Sequence, residues 1–260
     1  RNPYSTMKSV LFTSNIKLIN HIVSSRLFEH LTIACFGDGV AEEIQLNSGI
    51  NKFFSSEDKE EFSQMIQAQD NSSRCLSYGC GYIFTAKDIE HFDLPILNYH
   101  TGKIPQNRGR TPLFWDIIEG RDYSHGTLHA ISNEIDKGRL LGSVSVSILP
   151  EDDPRTLADK LLCRAIDEDL FVSWMLKDKS HIDSIKLTLD DGMYKKAFDP
   201  NENYISRMFT SNEMINIWRC YSIWGKILIN GRFFSMLVIS PENGLEKIQC
   251  SDMNIFARAC

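Results

Sequence analysis

Short apolar runs alternate with amphipathic stretches along the first hundred residues. Ser9–Thr13, Leu31–Phe36, Arg74–Tyr78 and Leu94–Tyr99 are rich in Val, Ile, Leu and Phe and read as strands. Between them Ile16–Glu29, Ser56–Ala68 and Ala86–Phe92 read as helices. Strands that are apolar without alternation have no water-facing side, so they predict a parallel sheet covered by helices on both faces.

The pattern then changes period. Pro112 opens a short helix over Leu113–Glu119, because its missing N–H would have no intrahelical partner, and Gly120 ends it. Gly126–Ser132 and Leu140–Ile148 read as strands; the second sets Val144, Val146 and Ile148 on one face against Ser143, Ser145 and Ser147 on the other. Pro154 starts an amphipathic helix that the spacing of Leu157, Leu161, Leu162 and Ile166 extends to about Met175. From Lys177 a charged linker leads into short segments, and Asn230-Gly231 between two apolar runs predicts a type I′ hairpin. The fold class is therefore α/β: a mostly parallel Rossmann-like sheet with helices on both faces, plus a small β-rich C-terminal appendage. The expected division is 7–178 for the main domain and 179–260 for the appendage. Met7 reads as a natural start, and Arg1–Thr6 is set aside from the fold reading.

Composition narrows the function classes. The 260 residues carry 28 Lys and Arg against 34 Asp and Glu, a formal net charge of −6 that argues against a large nucleic-acid footprint. The longest apolar runs fall far short of the ~20 residues that cross a bilayer, and no leader pattern opens the chain, so a cytoplasmic protein without membrane insertion is expected. The seven cysteines are scattered without a C-x-x-C pair and read as incidental thiols. No G-x-G-x-x-G follows the first strand, where Phe12-Thr13-Ser14-Asn15 stands, and no P-loop pattern occurs, which removes the usual dinucleotide and ATP cradles.

Chemistry concentrates after the fourth apolar run. Asn98-Tyr99-His100 lies at the C-terminal end of a strand, where open parallel sheets present ligands. The loop Thr101–Arg110 follows, and its cations Lys103, Arg108 and Arg110, with the backbone donors at the next helix start, suit an anion. Asn133–Gly138 returns an acidic segment in which Asp136 can meet His100. An imidazole oriented by a carboxylate moves protons near neutral pH, and an amide can donate to a developing oxyanion. Taken singly, each residue also fits a structural role: a packed histidine, a turn former, a cap. His125 and His129 are four apart, about 13 Å along a strand, too far to ligate one metal jointly, so no metal is expected. Trp115 reads as core, and Trp218, Tyr221, Trp224, Phe233 and Phe234 as appendage core or subunit contact.

The stretch Asn98–Trp115, with His125-Gly126-Thr127-Leu128-His129 and Ile135-Asp136-Lys137-Gly138-Arg139-Leu140, resembles the signature of the 10-formyltetrahydrofolate-dependent formyltransferases. Tyr78–Phe84 resembles that family's folate loop, so the likeness covers roughly residues 74–142. The resemblance implies Asn98, His100 and Asp136 as the catalytic trio, with Ile83, Phe84, Leu97 and the segment around Asp136 at the formyl-folate donor. Lys137 and Arg139 depart from the family's common Asp-Thr-Gly-Asp, and Thr101 from its common Gly or Pro.

Within the family, the Asn-Arg-Gly-Arg-x-Pro turn and the Pro-Leu-Phe-Trp helix look most like enzymes that formylate amino sugars on a nucleotide diphosphate for bacterial surface polysaccharide. That reading places Lys103, Arg108 and Arg110 at the acceptor's phosphates and a homodimer at the C-terminal region, with no nucleic-acid or membrane partner. The alternatives are formyl transfer to glycinamide ribonucleotide or methionyl-tRNA, and an idle domain that binds a nucleotide sugar or a protein. Only the enzyme readings require the trio to converge.

Overall fold

The computed structural model describes residues 7–37, 49–187, 192, 194–197, 206–241 and 244–260; Arg1–Thr6 and part of the charged linker lie outside them. The strands β1 (Met7–Phe12), β2 (Phe28–Phe36), β3 (Lys52–Ser56), β4 (Arg74–Tyr78) and β5 (Leu97–His100) run parallel. After the two-residue β6 (Arg108–Gly109) come β7 (Tyr123–Ala130), antiparallel to β5, and β8 (Leu140–Ser147). The main sheet has the order β3-β2-β1-β4-β5-β7-β8. The mostly parallel α/β reading therefore holds, with antiparallel pairing where β7 meets β5 and again between β7 and β8, whose ends are joined by Ala130 N–H to the Arg139 carbonyl and Ile148 N–H to the Asp122 carbonyl.

Three local features depart from the expected elements. β3 was not expected from the pattern: it is five residues long, sits at the sheet edge and is only half-buried, so it lacks the continuous apolar run of its neighbours. The helix expected over 154–175 is two helices, Pro154–Asp167 and Leu170–Met175, separated where Asp169 takes a left-handed φ of 52°. No Gly or Pro marks that break. The helix Lys59–Gln67 begins late because Asp58 caps it, its carboxylate accepting the Glu61 N–H at 2.8 Å.

By backbone contacts the chain groups into two units: Arg1–Arg108 with Gly126–Val144 and Leu162–Met193, and Gly109–His125 with Ser145–Leu161 and Tyr194–Cys260. In the first unit Val10, Phe12, Ala34, Phe62, Ile66 and Ile96 form a buried cluster, each large side chain contributing about 1.5–3 kcal/mol by leaving water. In the second unit β9 (Tyr194–Lys195) pairs with β6, and β10 (Ile227–Ile229), β11 (Arg232–Val238), β12 (Glu246–Gln249) and β13 (Asn254–Ala259) form a sheet ordered β10-β11-β13-β12. Asn230 and Gly231 have φ of 49° and 81°, the left-handed pair that a type I′ turn needs. Met214, Ile217, Cys220 and Tyr221 of the helix Ser211–Tyr221 are buried, and a capping box of Thr210 and Glu213 starts that helix. Tyr221 and Phe234 are core, whereas Trp224 and Phe233 are 47% and 44% exposed.

Candidate active site

β5 divides its side chains by the strand period of two. Leu97 and Tyr99 turn to one face, where Tyr99 meets Phe171 edge-on at 5.1 Å and Leu97 borders a small space with Trp174 and Met175. Asn98 and His100 turn to the other face. Antiparallel pairing sets Asn98 opposite His129 and His100 opposite Thr127, so the β5–β7 register itself brings these four residues together.

Loops complete the cluster. Thr127 Oγ donates to the Gly102 carbonyl at 2.7 Å and accepts the Ile104 N–H at 3.4 Å, fastening the loop after β5 to β7. The same loop returns the Asn107 carbonyl to 2.9 Å from His100 Nε2. On the other side, Asp136 reaches in with Oδ2 3.7 Å from His100 Nδ1 and Oδ1 3.5 Å from His129 Nε2, its side chain 10% exposed. Asp136 has a left-handed φ of 54°. Gly138, two residues on, lies so close to β7 that an added Cβ would stand 1.4 Å from the Ala130 carbonyl oxygen, so only glycine lets the loop approach.

The protons follow from these contacts. A carbonyl only accepts, so His100 Nε2 carries the hydrogen that points at Asn107, and in the neutral ring Nδ1 is bare. Burial pulls the His100 pKa below its ordinary 6.5 and outweighs the opposing pulls of Asp136 and the Asn107 carbonyl, while His129 acts in the same sense as burial. The ring is thus neutral at neutral pH, and its contact with Asp136 becomes an ion pair only when Nδ1 gains a proton. That is the behaviour of a general base with a waiting counter-ion.

The structure brings Asn98, His100 and Asp136 together and adds His129, which sequence reasoning weighed only as a metal ligand. Its signal was the pairing of two strands, visible once β7 is known to run antiparallel to β5 in that register. The remaining expected residues are more dispersed. Ile83 is 67% exposed, Phe84 packs edge-on against Phe12 at 4.9 Å, and the Leu97 side chain lies on the opposite face from Asn98. Lys103 and Arg110 are exposed. Arg108 differs from these two: it is 8% exposed, with Nη1 3.5 Å from the Ile135 carbonyl.

The profile of the formyl transferase family matches residues 41–168, a stretch that includes every residue of this cluster. Residues 41–168, just under half of the chain, thus carry a formyl transferase domain. Among curated relatives, the methionyl-tRNA formyltransferase of Caldicellulosiruptor saccharolyticus is 26% identical over 157 residues, covering 59% of this chain and 50% of that protein. The bifunctional polymyxin resistance protein ArnA of Wigglesworthia glossinidia brevipalpis is 30% identical over 122 residues, covering 47% and 18%. The chain thus spans half or less of the length of these two relatives. Among solved structures, an N-formyltransferase from Helicobacter canadensis in complex with folinic acid and dTDP-3-aminofucose superposes with a TM-score of 0.71 at 17% identity, covering 98% of this chain and 100% of that one. The sugar 3N-formyl transferase WlaRD, in the presence of dTDP and 5-N-formyl-THF, gives 0.70 at 17% identity and 97% of both chains. At such identity the likeness is one of fold, and it includes the C-terminal sheet.

Proposed function

We propose that the protein transfers a formyl group from 10-formyltetrahydrofolate to the primary amine of a nucleotide-linked amino sugar. The observation that carries this reading is the convergence of Asn98, His100 and Asp136, from β5 and a loop 36 residues further on, at one end of the sheet. An idle binding domain has no use for a neutral buried imidazole held between a carbonyl and a carboxylate. The acceptor class draws its support from the near full-length fold likeness to sugar N-formyltransferases, against partial coverage of the methionyl-tRNA enzymes.

The residues present suit a formyl-folate donor: a half-buried amide, a neutral base and the exposed apolar Ile83 on the loop after the neighbouring strand β4. The donor supplies an activated one-carbon acyl group. Asn98 donates an amide N–H to the formyl oxygen as negative charge grows there. His100 Nδ1 takes the proton that the attacking amine must lose and returns it to the departing donor nitrogen as that nitrogen's bond to the formyl carbon breaks, while Asp136 Oδ2 stabilises the imidazolium in between. No protein nucleophile is required, since the amine itself attacks. The exposed Lys103, and independently Arg110, are proposed to meet acceptor phosphates, while Arg108 supports the Asp136 loop. The catalytic region is taken as 7–178, and self-association of the C-terminal region is checked by sedimentation of the full chain.

The test is a single-turnover assay with 10-formyltetrahydrofolate against thymidine-, uridine- and guanosine-diphosphate amino sugars, with glycinamide ribonucleotide and methionyl-tRNA alongside. Formylation of one amino-sugar class is expected. Turnover of methionyl-tRNA alone would replace the acceptor, and no transfer to any amine would leave the idle domain.

A further inference from the structure

We infer that His129 is a positioning residue that sets the orientation of the Asn98 amide, and so decides whether that side chain offers a donor or an acceptor to the reacting centre. The inference rests on the proposed formyl transfer, and its geometry can be tested without it.

His129 is 2% exposed and its Nδ1 lies 3.1 Å from the carbonyl oxygen of Ala130. That oxygen can only accept, so Nδ1 carries the hydrogen, and in the neutral ring Nε2 presents a lone pair. Asn98 Nδ2 lies 3.1 Å from Nε2. A lone pair is satisfied by an amide N–H and repels an amide oxygen, so the chemistry of the ring independently requires the nitrogen of Asn98 to face it. Asp136 Oδ1 is 3.5 Å from the same nitrogen, beyond the usual ~2.7–3.2 Å of an N–H···O bond, which leaves the amide as the partner within reach.

An asparagine amide can turn by 180° with almost no change of shape, exchanging two donors for two acceptors. At a centre where negative charge develops on an oxygen, one orientation stabilises and the other repels. The bond to His129 uses one N–H of Asn98 and leaves the second for the formyl oxygen. The ring is held in turn: the β5–β7 register places it opposite Asn98, and the absent Cβ of Gly138 keeps the Asp136 loop close, an added Cβ there standing 3.4 Å from His129 Nδ1.

The experiment compares the wild-type chain with His129→Leu, which removes the acceptor, and His129→Gln, whose side-chain oxygen restores one. Single-turnover transfer from 10-formyltetrahydrofolate to dTDP-3-aminofucose, with the nucleotide amino-sugar panel behind it, is expected to slow by roughly 100-fold in His129→Leu. KM should stay within about twofold, and His129→Gln should recover a large part of the rate. Long-range ¹H–¹⁵N spectra of the wild type should show the neutral His129 ring with its hydrogen on Nδ1 and none on Nε2. The Asn98 side-chain amide, assigned by its loss in Asn98→Ala, should shift in His129→Leu if that chain folds. An Nε2–H on neutral His129, or an active His129→Leu with unchanged kcat, overturns the inference and leaves the function standing. A wild type with bare Nε2 and no transfer to any amine sinks the function and keeps the geometry.

Discussion

The end of β5 and the C-terminal sheet use burial in opposite ways. At β5 the protein buries polar groups, His100, His129 and Asn107, and spends hydrogen bonds to keep them in place. In the C-terminal sheet it buries Ile227, Ile229, Phe234, Leu237 and Ile255, and leaves polar pairs such as Arg232–Glu246 at the surface. The first arrangement costs stability, because each buried polar group must be matched by a partner; the second yields stability through apolar area. Chemistry requires the first, since a base is tuned by the water it loses.

The contrast can be broken by substitution. Phe234→Ala should lower unfolding free energy by about 3–5 kcal/mol while the folded molecules keep their turnover; chemical denaturation and active-site-normalised rates check this. A matching fall in turnover would mean that the two regions are not functionally separate. Asn98→Ala should do the reverse: turnover falls 100-fold or more, about 3 kcal/mol of transition-state stabilisation, with a nearly unchanged melting temperature. A variant retaining a tenth of wild-type turnover would remove Asn98 from its role.

Two smaller effects sharpen the picture. Arg110→Ala should raise the KM of the acceptor by roughly tenfold and leave that of the folate unchanged, as expected for an exposed cation meeting only phosphates. Equal effects on both substrates would reassign it. The mildest effect is on pH dependence. His100 must be neutral to accept a proton, and burial lowers its pKa, so the acid limb of kcat/KM should lie below pH 6.5, with activity lost as pH falls through it. Asp136→Asn removes the carboxylate that opposes burial and should move that limb lower still. A limb above 6.5 would mean that Asp136 outweighs burial.

Much of the sheet was legible because apolar strands and amphipathic helices differ in period. Arg74–Tyr78 matches its expected bounds, and the Asn230-Gly231 turn follows from the φ that only such residues adopt readily. β3 was illegible because an edge strand needs no continuous apolar run. The break at Asp169 was illegible because no Gly or Pro marks its left-handed φ. At the site, the resemblance pointed to Asn98, His100 and Asp136, which the structure brings together, whereas local sequence does not reveal that Arg108 alone of the three loop cations is buried.

The sequence by itself determined most of the element types and the strand end that carries the amide and imidazole, because these depend on periodicity and on residue shape. Only the tertiary structure decided that His129 stands across from Asn98, that Asp136 lies between two imidazoles, and which ring nitrogens carry hydrogen. Those outcomes depend on the register of β5 against β7 and on exclusion of water, and neither is a property of any short stretch of chain.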